Sequence, residues 1–281
     1  MSNSTETFGL TVGTDKGGTG KTTNTMHFSY WVSRHYSNVV NRNLRVLLLD
    51  LDYQTNLSQR FNVYATEHTA AGIFNPHYGD VKIVKVREHI DLVPGSVFMS
   101  AINKEIDSEP NKLWLIYNWI KENVNPDAYD FIIYDTHPDF ENTIQAALLA
   151  SDNILIPIEQ DEDSQGGADT ILINIKNLKQ KMYNHKYGVS EVTVKPILLA
   201  NKMHHNTKLS RELKAKIGEV ENLLAYVPFR TVFDTAQKMK MTVWEYYEAY
   251  PKLLDSSAKK FLQELDTAYQ TVFDAITDGQ L

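Results

Sequence analysis

The 281-residue chain contains no cysteine. It can therefore build no disulfide framework, thiolate zinc site or cysteine-ligated iron–sulfur cluster. No apolar stretch approaches the roughly 20 residues that a membrane-spanning helix requires. The N-terminal stretch, Met1 to Thr7, is polar and lacks the basic-then-apolar pattern of a secretion signal, so a cytoplasmic chain is expected. The 9 prolines and 13 glycines form no linker-like tract, and there is no internal repeat or low-complexity segment. Residues 1–281 are therefore expected to form one domain.

What is present is an alternation of apolar runs and amphipathic stretches. The runs predict strands at 8–14, 45–51, 81–86, 89–93, 130–135, 153–158, 192–200 and 223–228. The amphipathic stretches predict helices at 21–37, 110–124, 140–151, 165–183, 207–220, 232–239 and 252–277. Several strands, such as Val46–Leu49 and Ile154–Ile158, are apolar at nearly every position. That pattern belongs to strands buried on both faces. The predicted fold class is α/β, a doubly wound, mostly parallel twisted sheet flanked by helices. Its ligand is expected at the carboxyl ends of the strands.

Charge is unevenly spread. The net charge is −7, yet residues 171–260 hold 16 basic and 8 acidic side chains while the rest hold 12 and 27. A localised basic surface on an acidic protein is expected. Lys208, Arg211 and Lys214, spaced i, i+3, i+6 so that they are expected to share one face of a predicted helix, are its candidate DNA-phosphate contacts.

The run Lys16-Gly17-Gly18-Thr19-Gly20-Lys21-Thr22-Thr23 lies between the first predicted strand and the first predicted helix. Glycines there let backbone N–H groups converge on phosphate oxygens, and the helix end adds partial positive charge. Lys21 is placed to reach the β- and γ-phosphates and the Thr22 hydroxyl to ligate Mg²⁺. The run departs from the usual P-loop pattern, because Asp15 stands where that pattern has glycine and a second lysine, Lys16, sits inside the loop. Asp50 and Asp52 end one buried strand and Asp135 ends another. Buried carboxylates need a cation or a donor. His137 reads as a packing or solvent-facing histidine, although a histidine beside phosphates can also sense pH. His204 and His205 have no third partner at metal-site spacing.

The loop resembles the deviant Walker A motif of the ParA/MinD ATPases, a branch of the P-loop NTPases. Asp50-Leu51-Asp52-Tyr53-Gln54-Thr55-Asn56 is similar to that family's D-x-D-P-Q-G-N motif, and Asp135-Thr136-His137-Pro138 to its D-x-P-P Walker B end. The resemblance runs from about residue 8 to about residue 250. It implies ATP and Mg²⁺ as cofactors. The loop residues Gly17, Gly18, Thr19, Gly20, Lys21, Thr22 and Thr23 would hold ATP, with Asn201 reading the adenine. Thr22, Asp50 and Asp135 would form the magnesium shell, and Asp52 would orient the attacking water. Lys16 would reach across an ATP-dependent homodimer to the partner's phosphates.

A partition ATPase of this type coats the nucleoid by non-specific DNA binding and is triggered by a centromere-binding partner protein. Only about seven residues precede the first strand, so the N-terminal helix-turn-helix of longer plasmid relatives is not expected. Tyr53 and Thr55 replace the family's proline and glycine, which predicts a different backbone path after Asp52. The lack of cysteine sets the chain apart from the nitrogenase iron protein, which shares the loop. The acidic C-terminal stretch sets it apart from MinD-like membrane binders and predicts a final core helix, with no membrane partner. The alternative reading is a nucleotide-switched ATPase that positions a protein cargo without DNA. A metabolic ligase on the same loop has no further site to support it.

Overall fold

The computed structural model describes residues 7–205 and 207–281. Met1–Glu6, most of the stretch read for a secretion signal, lie outside the described residues. The elements run β1 (Phe8–Val12), α1 (Lys21–Ser33), β2 (Tyr36–Ser37), β3 (Arg42–Asn43), β4 (Val46–Asp50), α2 (Asn56–Arg60), α3 (Ala71–Phe74), β5 (Val84–Arg87) and β6 (Ile90–Val93). They continue with α4 (Met99–Glu105), α5 (Leu115–Asn123), β7 (Phe131–Asp135), α6 (Asn142–Leu149), β8 (Asn153–Ile158), α7 (Glu162–Lys181), β9 (Tyr183–Asn184), β10 (Val189–Ser190) and β11 (Lys195–Met203). The last are α8 (Lys208–Ala215), β12 (Leu223–Pro228), α9 (Val232–Lys238), α10 (Val243–Ala249) and α11 (Ser256–Thr277).

Eight strands form one sheet in the order β12-β11-β8-β1-β7-β4-β6-β5. Every neighbouring pair is parallel except β5 with β6. The doubly wound, mostly parallel sheet expected from the apolar runs is what forms. Neighbouring residues of a strand point to opposite faces, and here both faces are apolar. Leu10, Val46, Leu48 and Ile133 face α1 and α11, while Leu47, Leu49, Ile132 and Tyr134 face α3–α6. Ile154, Ile156 and Leu198 pack with α7 and α8. Each fully buried Leu, Ile or Phe side chain contributes about 1.5–3 kcal/mol, so the sheet has strong support on both faces.

The final helix is part of this core. Phe261, Leu265, Tyr269, Val272 and Phe273 of α11 are buried at helical spacing, and the Tyr269 hydroxyl donates to Asn24 Oδ1 at 3.1 Å. Among the described residues no helix is long and apolar enough to cross a membrane.

Some boundaries moved. The strand expected at 192–200 runs instead over Lys195–Met203, carrying Asn201 inside it. The helix expected at 207–220 stops at Ala215, ahead of Gly218 at φ 80°. Four helices, α2, α3, α4 and α10, had no expectation. They are only 4–7 residues long, too short for a periodic pattern to be legible.

The register places the site. Val12 of β1 and Asp50 of β4 both pair with Asp135 of the central strand β7. The loop after β1 and the aspartates that end β4 and β7 therefore lie side by side at the carboxyl edge.

Candidate functional site

Helix α1 begins without a cap. Its N-cap is Gly20, at φ 93°, and no side chain among the described residues caps it; no acidic residue lies in the first turn. Those orphan donors and the helix dipole favour an anion. The φ of Gly20 favours glycine, and a Cβ there would also press on Asn201 Nδ2. Asn24 closes the loop from the other side, its Nδ2 donating to Gly20 O at 2.9 Å.

Lys21 is buried, and its Nζ lies 3.4 Å from Lys16 O. Burial lowers its pKa, against the attraction of Asp135, Asp52 and Asp139. Asp135 is fully buried and accepts from Thr25 Oγ1 at 2.9 Å. Burial pushes its carboxyl up to about 6, with the Thr22 and Thr25 hydroxyls opposing. Thr22 lies beside that carboxyl, yet among the described residues Asp135 Oδ2 has no hydrogen-bond partner, and neither has the buried Thr19 Oγ1. Asp50 is pushed up to about 7 by burial and by Asp135.

Asp50 also has a structural task. Its Oδ2 accepts from Ser58 N at 2.9 Å and from Ser58 Oγ at 2.6 Å, and its Oδ1 accepts from Asp52 N at 3.3 Å. A Cβ at position 95 would lie 2.7 Å from this carboxyl, which accounts for the glycine in Pro94-Gly95-Ser96. Asp50 thus ties the segment 52–58 to the strand end. Thr55, where the resembled motif has glycine, adopts φ 52°, a left-handed conformation that glycine takes without strain.

Asp52 is buried beside the same cluster. Its Oδ1 accepts from Gln54 N at 2.9 Å and meets His137 Nδ1 at 2.9 Å. The expectation that His137 merely packs or faces solvent is corrected here. It bridges Asp52 and Asp139, whose Oδ2 lies 3.2 Å from Nε2, and its ring lies 4.2 Å from that of Tyr53. No sequence periodicity joins residues 52 and 137; adjacency of β4 and β7 does.

Other contacts had no signal in the sequence. Arg60 of α2 is partly buried and donates to Thr23 Oγ1 at 2.9 Å. Lys202, at φ 52° beside a register shift in β11, donates to Gly18 O at 2.5 Å and Glu159 Oε1 at 2.9 Å. Asn201 sits within β11, beside the loop, and its Nδ2 donates to Thr19 O at 2.6 Å. Lys16 Nζ pairs with Asp161 Oδ1 of the same chain at 2.6 Å, and Asp161 caps α7. Gly17 and Gly18 complete the loop, Gly18 at φ 79°.

Lys208, Arg211 and Lys214 lie on α8, but they do not share one solvent face. Lys208 and Arg211 are exposed, and Lys208 lies 3.7 Å from Glu212. Lys214 folds back with Nζ 3.7 Å from the centroid of the Tyr226 ring. Six residues on is about 120° around a helix, and the Tyr226 π face attracts the ammonium. A cavity of about 680 Å³ lies at the opposite, amino end of the strands, lined by Thr7, Gly9, Trp114, Tyr129 and Asp152 among others, and takes no part in this site.

The residues at the carboxyl edge fit a nucleotide triphosphate with Mg²⁺. Three buried carboxylates, Asp50, Asp52 and Asp135, oppose one buried ammonium. Of the buried polar atoms without a partner among the described residues, Thr19 Oγ1 and Asp135 Oδ2 lie at this edge, and the start of α1 is uncapped. Among the described residues no three His, Cys, Asp or Glu side chains are grouped to hold a metal alone. A magnesium ion here would rely on Thr22, on phosphate oxygens and on water held by Asp135.

Comparison with known proteins agrees with this geometry. The family model AAA_31, described as an AAA domain, matches residues 9–189. A ParA family protein of Mycoplasma genitalium is 27% identical over 235 residues, 78% of this chain and 82% of that protein. A candidate plasmid partition protein of Borrelia burgdorferi B31 bound to AMPPNP superposes with a TM-score of 0.70 at 19% identity, over 86% of this chain and 96% of that one. Cyanothece apo McdA superposes with a TM-score of 0.71 at 18% identity, over 95% of this chain and 99% of that one. The chain belongs to the AAA_31 family, as a P-loop ATPase of the ParA/MinD type.

Proposed function

We propose that this chain is a DNA-partition ATPase. The observation that carries the reading is the meeting of the Lys16–Thr23 loop with Asp50, Asp52 and Asp135 at one sheet edge. Lys21 would bind the β- and γ-phosphates and Thr22 would hold the magnesium, with Asp135 acting through a water. Asp50 acts from outside that shell, by holding the segment 52–58. Asp52 orients the water. The water oxygen bonds to the γ-phosphorus, the bond to the β,γ-bridging oxygen breaks with its electron pair on ADP, and the water's proton passes by way of Asp52 to the phosphate. Asn201 supports the loop from β11 and faces the adenine.

With ATP bound, two copies close face to face, and Lys16 exchanges Asp161 of its own chain for the partner's phosphates. The closed dimer binds DNA without sequence preference through the basic segment, with Lys208 and Arg211 as its exposed contacts on α8 and Lys214 held on Tyr226. A centromere-binding protein stimulates hydrolysis and releases the DNA. The name and similarity of the Mycoplasma ParA family protein and of the Borrelia partition protein support this reading.

A second reading has its own support. Lys208 has Glu212 beside it and Lys214 is committed to Tyr226, which reduces the charge α8 offers to DNA. In this reading the ATP-bound dimer positions a protein cargo without DNA. DNA retention measured with ATP, ADP and no nucleotide, over a series of salt concentrations, separates the two. The partition reading expects retention with ATP alone, falling steeply with salt. No retention with ATP at low salt overturns it in favour of the cargo reading.

A further inference from the structure

Two residues that depart from the family pattern meet in space. Tyr53 stands where the resembled motif has proline, and His137 where the other motif has proline or a small residue. Their ring centroids are 4.2 Å apart, at an interplanar angle of 40°. The histidine so held places Nδ1 2.9 Å from Asp52 Oδ1 and Nε2 3.2 Å from Asp139 Oδ2. Its side chain is only 21% exposed and that of Asp52 8%, so water does not compete strongly for the bond.

Asp52 uses its two oxygens differently. Oδ1 accepts from Gln54 N and from the histidine, whose Nδ1 must carry the proton because a carboxylate only accepts. Oδ2 receives no hydrogen bond among the described residues. A carboxylate pinned through one oxygen has its second oxygen fixed in direction. We infer that His137, clamped between Tyr53 and Asp139, is a positioning residue for ATP hydrolysis: it fixes Asp52 Oδ1 so that Oδ2 faces the attacking water.

This inference rests on the proposed role of Asp52 in orienting that water. Proline at 53 and 137 would supply backbone stiffness but no donor to Asp52. The pair Tyr53 and His137 supplies a donor, with stiffness from ring contact. Orientation matters because small misplacement of a reacting group loses rate without losing affinity.

The experiment is steady-state hydrolysis of MgATP by the full chain, with ATP affinity measured by calorimetry. His137→Ala is expected to lower kcat on the order of tenfold to a hundredfold, with ATP affinity held within about twofold. His137→Asn places an amide Nδ2 where the ring has Nδ1 and is expected to recover kcat to within about threefold of wild type. His137→Gln carries its amide one bond further out and is not expected to recover it. Tyr53→Ala should fall between wild type and His137→Ala. Wild-type kcat in His137→Ala overturns the inference. Equal loss in the Ala and Asn variants also overturns it, because the ring would then be a packing element. If His137→Ala does not fold, the Asn and Gln variants make the same comparison. Asp52→Ala separates the two levels: normal turnover there fails the reading of Asp52 itself, whereas a dead Asp52→Ala with a normal His137→Ala fails the inference alone.

Discussion

The loop edge and helix α8 both carry the charges that a function would use, and they hold them in opposite ways. At the loop edge Lys21, Asp50, Asp52 and Asp135 are buried, each close to the others, and their pKa values bend accordingly for Lys21, Asp50 and Asp135. On α8 the charges are solvated, as Lys208 is with Glu212 beside it, or spent on a neighbour, as Lys214 is on Tyr226. Charge is expensive to bury and is tolerated only where something repays it. The difference teaches that the first region holds its charges against the cost of burial, which the phosphate and metal of the proposed function would offset. The second is a surface whose charges act only by summing with others.

The sharpest break of this comparison is Lys21→Ala. It leaves three buried carboxylates without their cation, and ATP affinity should fall on the order of a hundredfold or more. Calorimetry that still gives wild-type affinity would show that the buried cluster serves packing alone.

Asp50→Asn tests the effect of burial itself. The folded-state pKa of Asp50 is about 7, above its usual value of 3.8. A raised pKa means that the folded state binds the extra proton. Its stabilising contribution is therefore complete below about pH 4 and is lost as pH rises through 7. The neutral amide avoids that loss, so Asp50→Asn should unfold at higher urea than wild type at pH 8, by on the order of 1–3 kcal/mol. The advantage should vanish near pH 4. A variant less stable than wild type at pH 8 would show that the Ser58 bonds outweigh the buried charge.

His27 runs the other way. It is fully buried on α1, its ring nitrogens 2.8 Å from Thr23 O and 3.1 Å from Val243 N, and burial pushes its pKa down to about 3. The unfolded chain takes up this proton near pH 6.5, so stability from His27 falls as pH drops from 6.5 toward 3. His27→Gln should be less stable than wild type at pH 7.5 by on the order of 1–3 kcal/mol, with the difference shrinking toward pH 4. A difference that grows in acid, followed by urea unfolding, would contradict a neutral buried ring.

The smallest effects belong to α8. Replacing Lys208 and Arg211 by alanine should lower the log–log salt slope of DNA binding by about 0.9 for each phosphate no longer neutralised. Adding Lys214→Ala should change stability by about 0.5–1 kcal/mol through its ring contact, and the salt slope little. If Lys214→Ala alone lowers the slope by as much as Lys208→Ala does, the division between solvated and committed charge on α8 fails.

Much of the site was legible in the order of residues. The loop Lys16–Thr23 reads as a strand-to-helix phosphate cradle because glycine spacing and the lysine and threonines are contiguous. Asp50, Asp52 and Asp135 read as strand-end acids because apolar runs precede them. What could not be read is pairing across distance. His137 is 85 residues from Asp52, and Lys202 is 184 from Gly18. Neither pair has a shared period or motif. The short helix α2 was equally hidden, because it forms on contacts such as Ser58 to Asp50 and Arg60 to Thr23 rather than on its own periodicity.

By itself the sequence determined the class of the sheet, the cradle, and the acids that face it. Those follow from local rules: side-chain alternation, glycine freedom, and the need of a helix start for an anion. Only the tertiary structure decided how the acids are used. The strand order set β7 between β1 and β4, which brought Asp135 to Asp50 and His137 to Asp52. It turned Lys214 onto Tyr226 and put Asn201 and Lys202 beneath the loop. The reason is physical: burial and low dielectric make these charged contacts strong only once the sheet has excluded water, and no single segment excludes water alone.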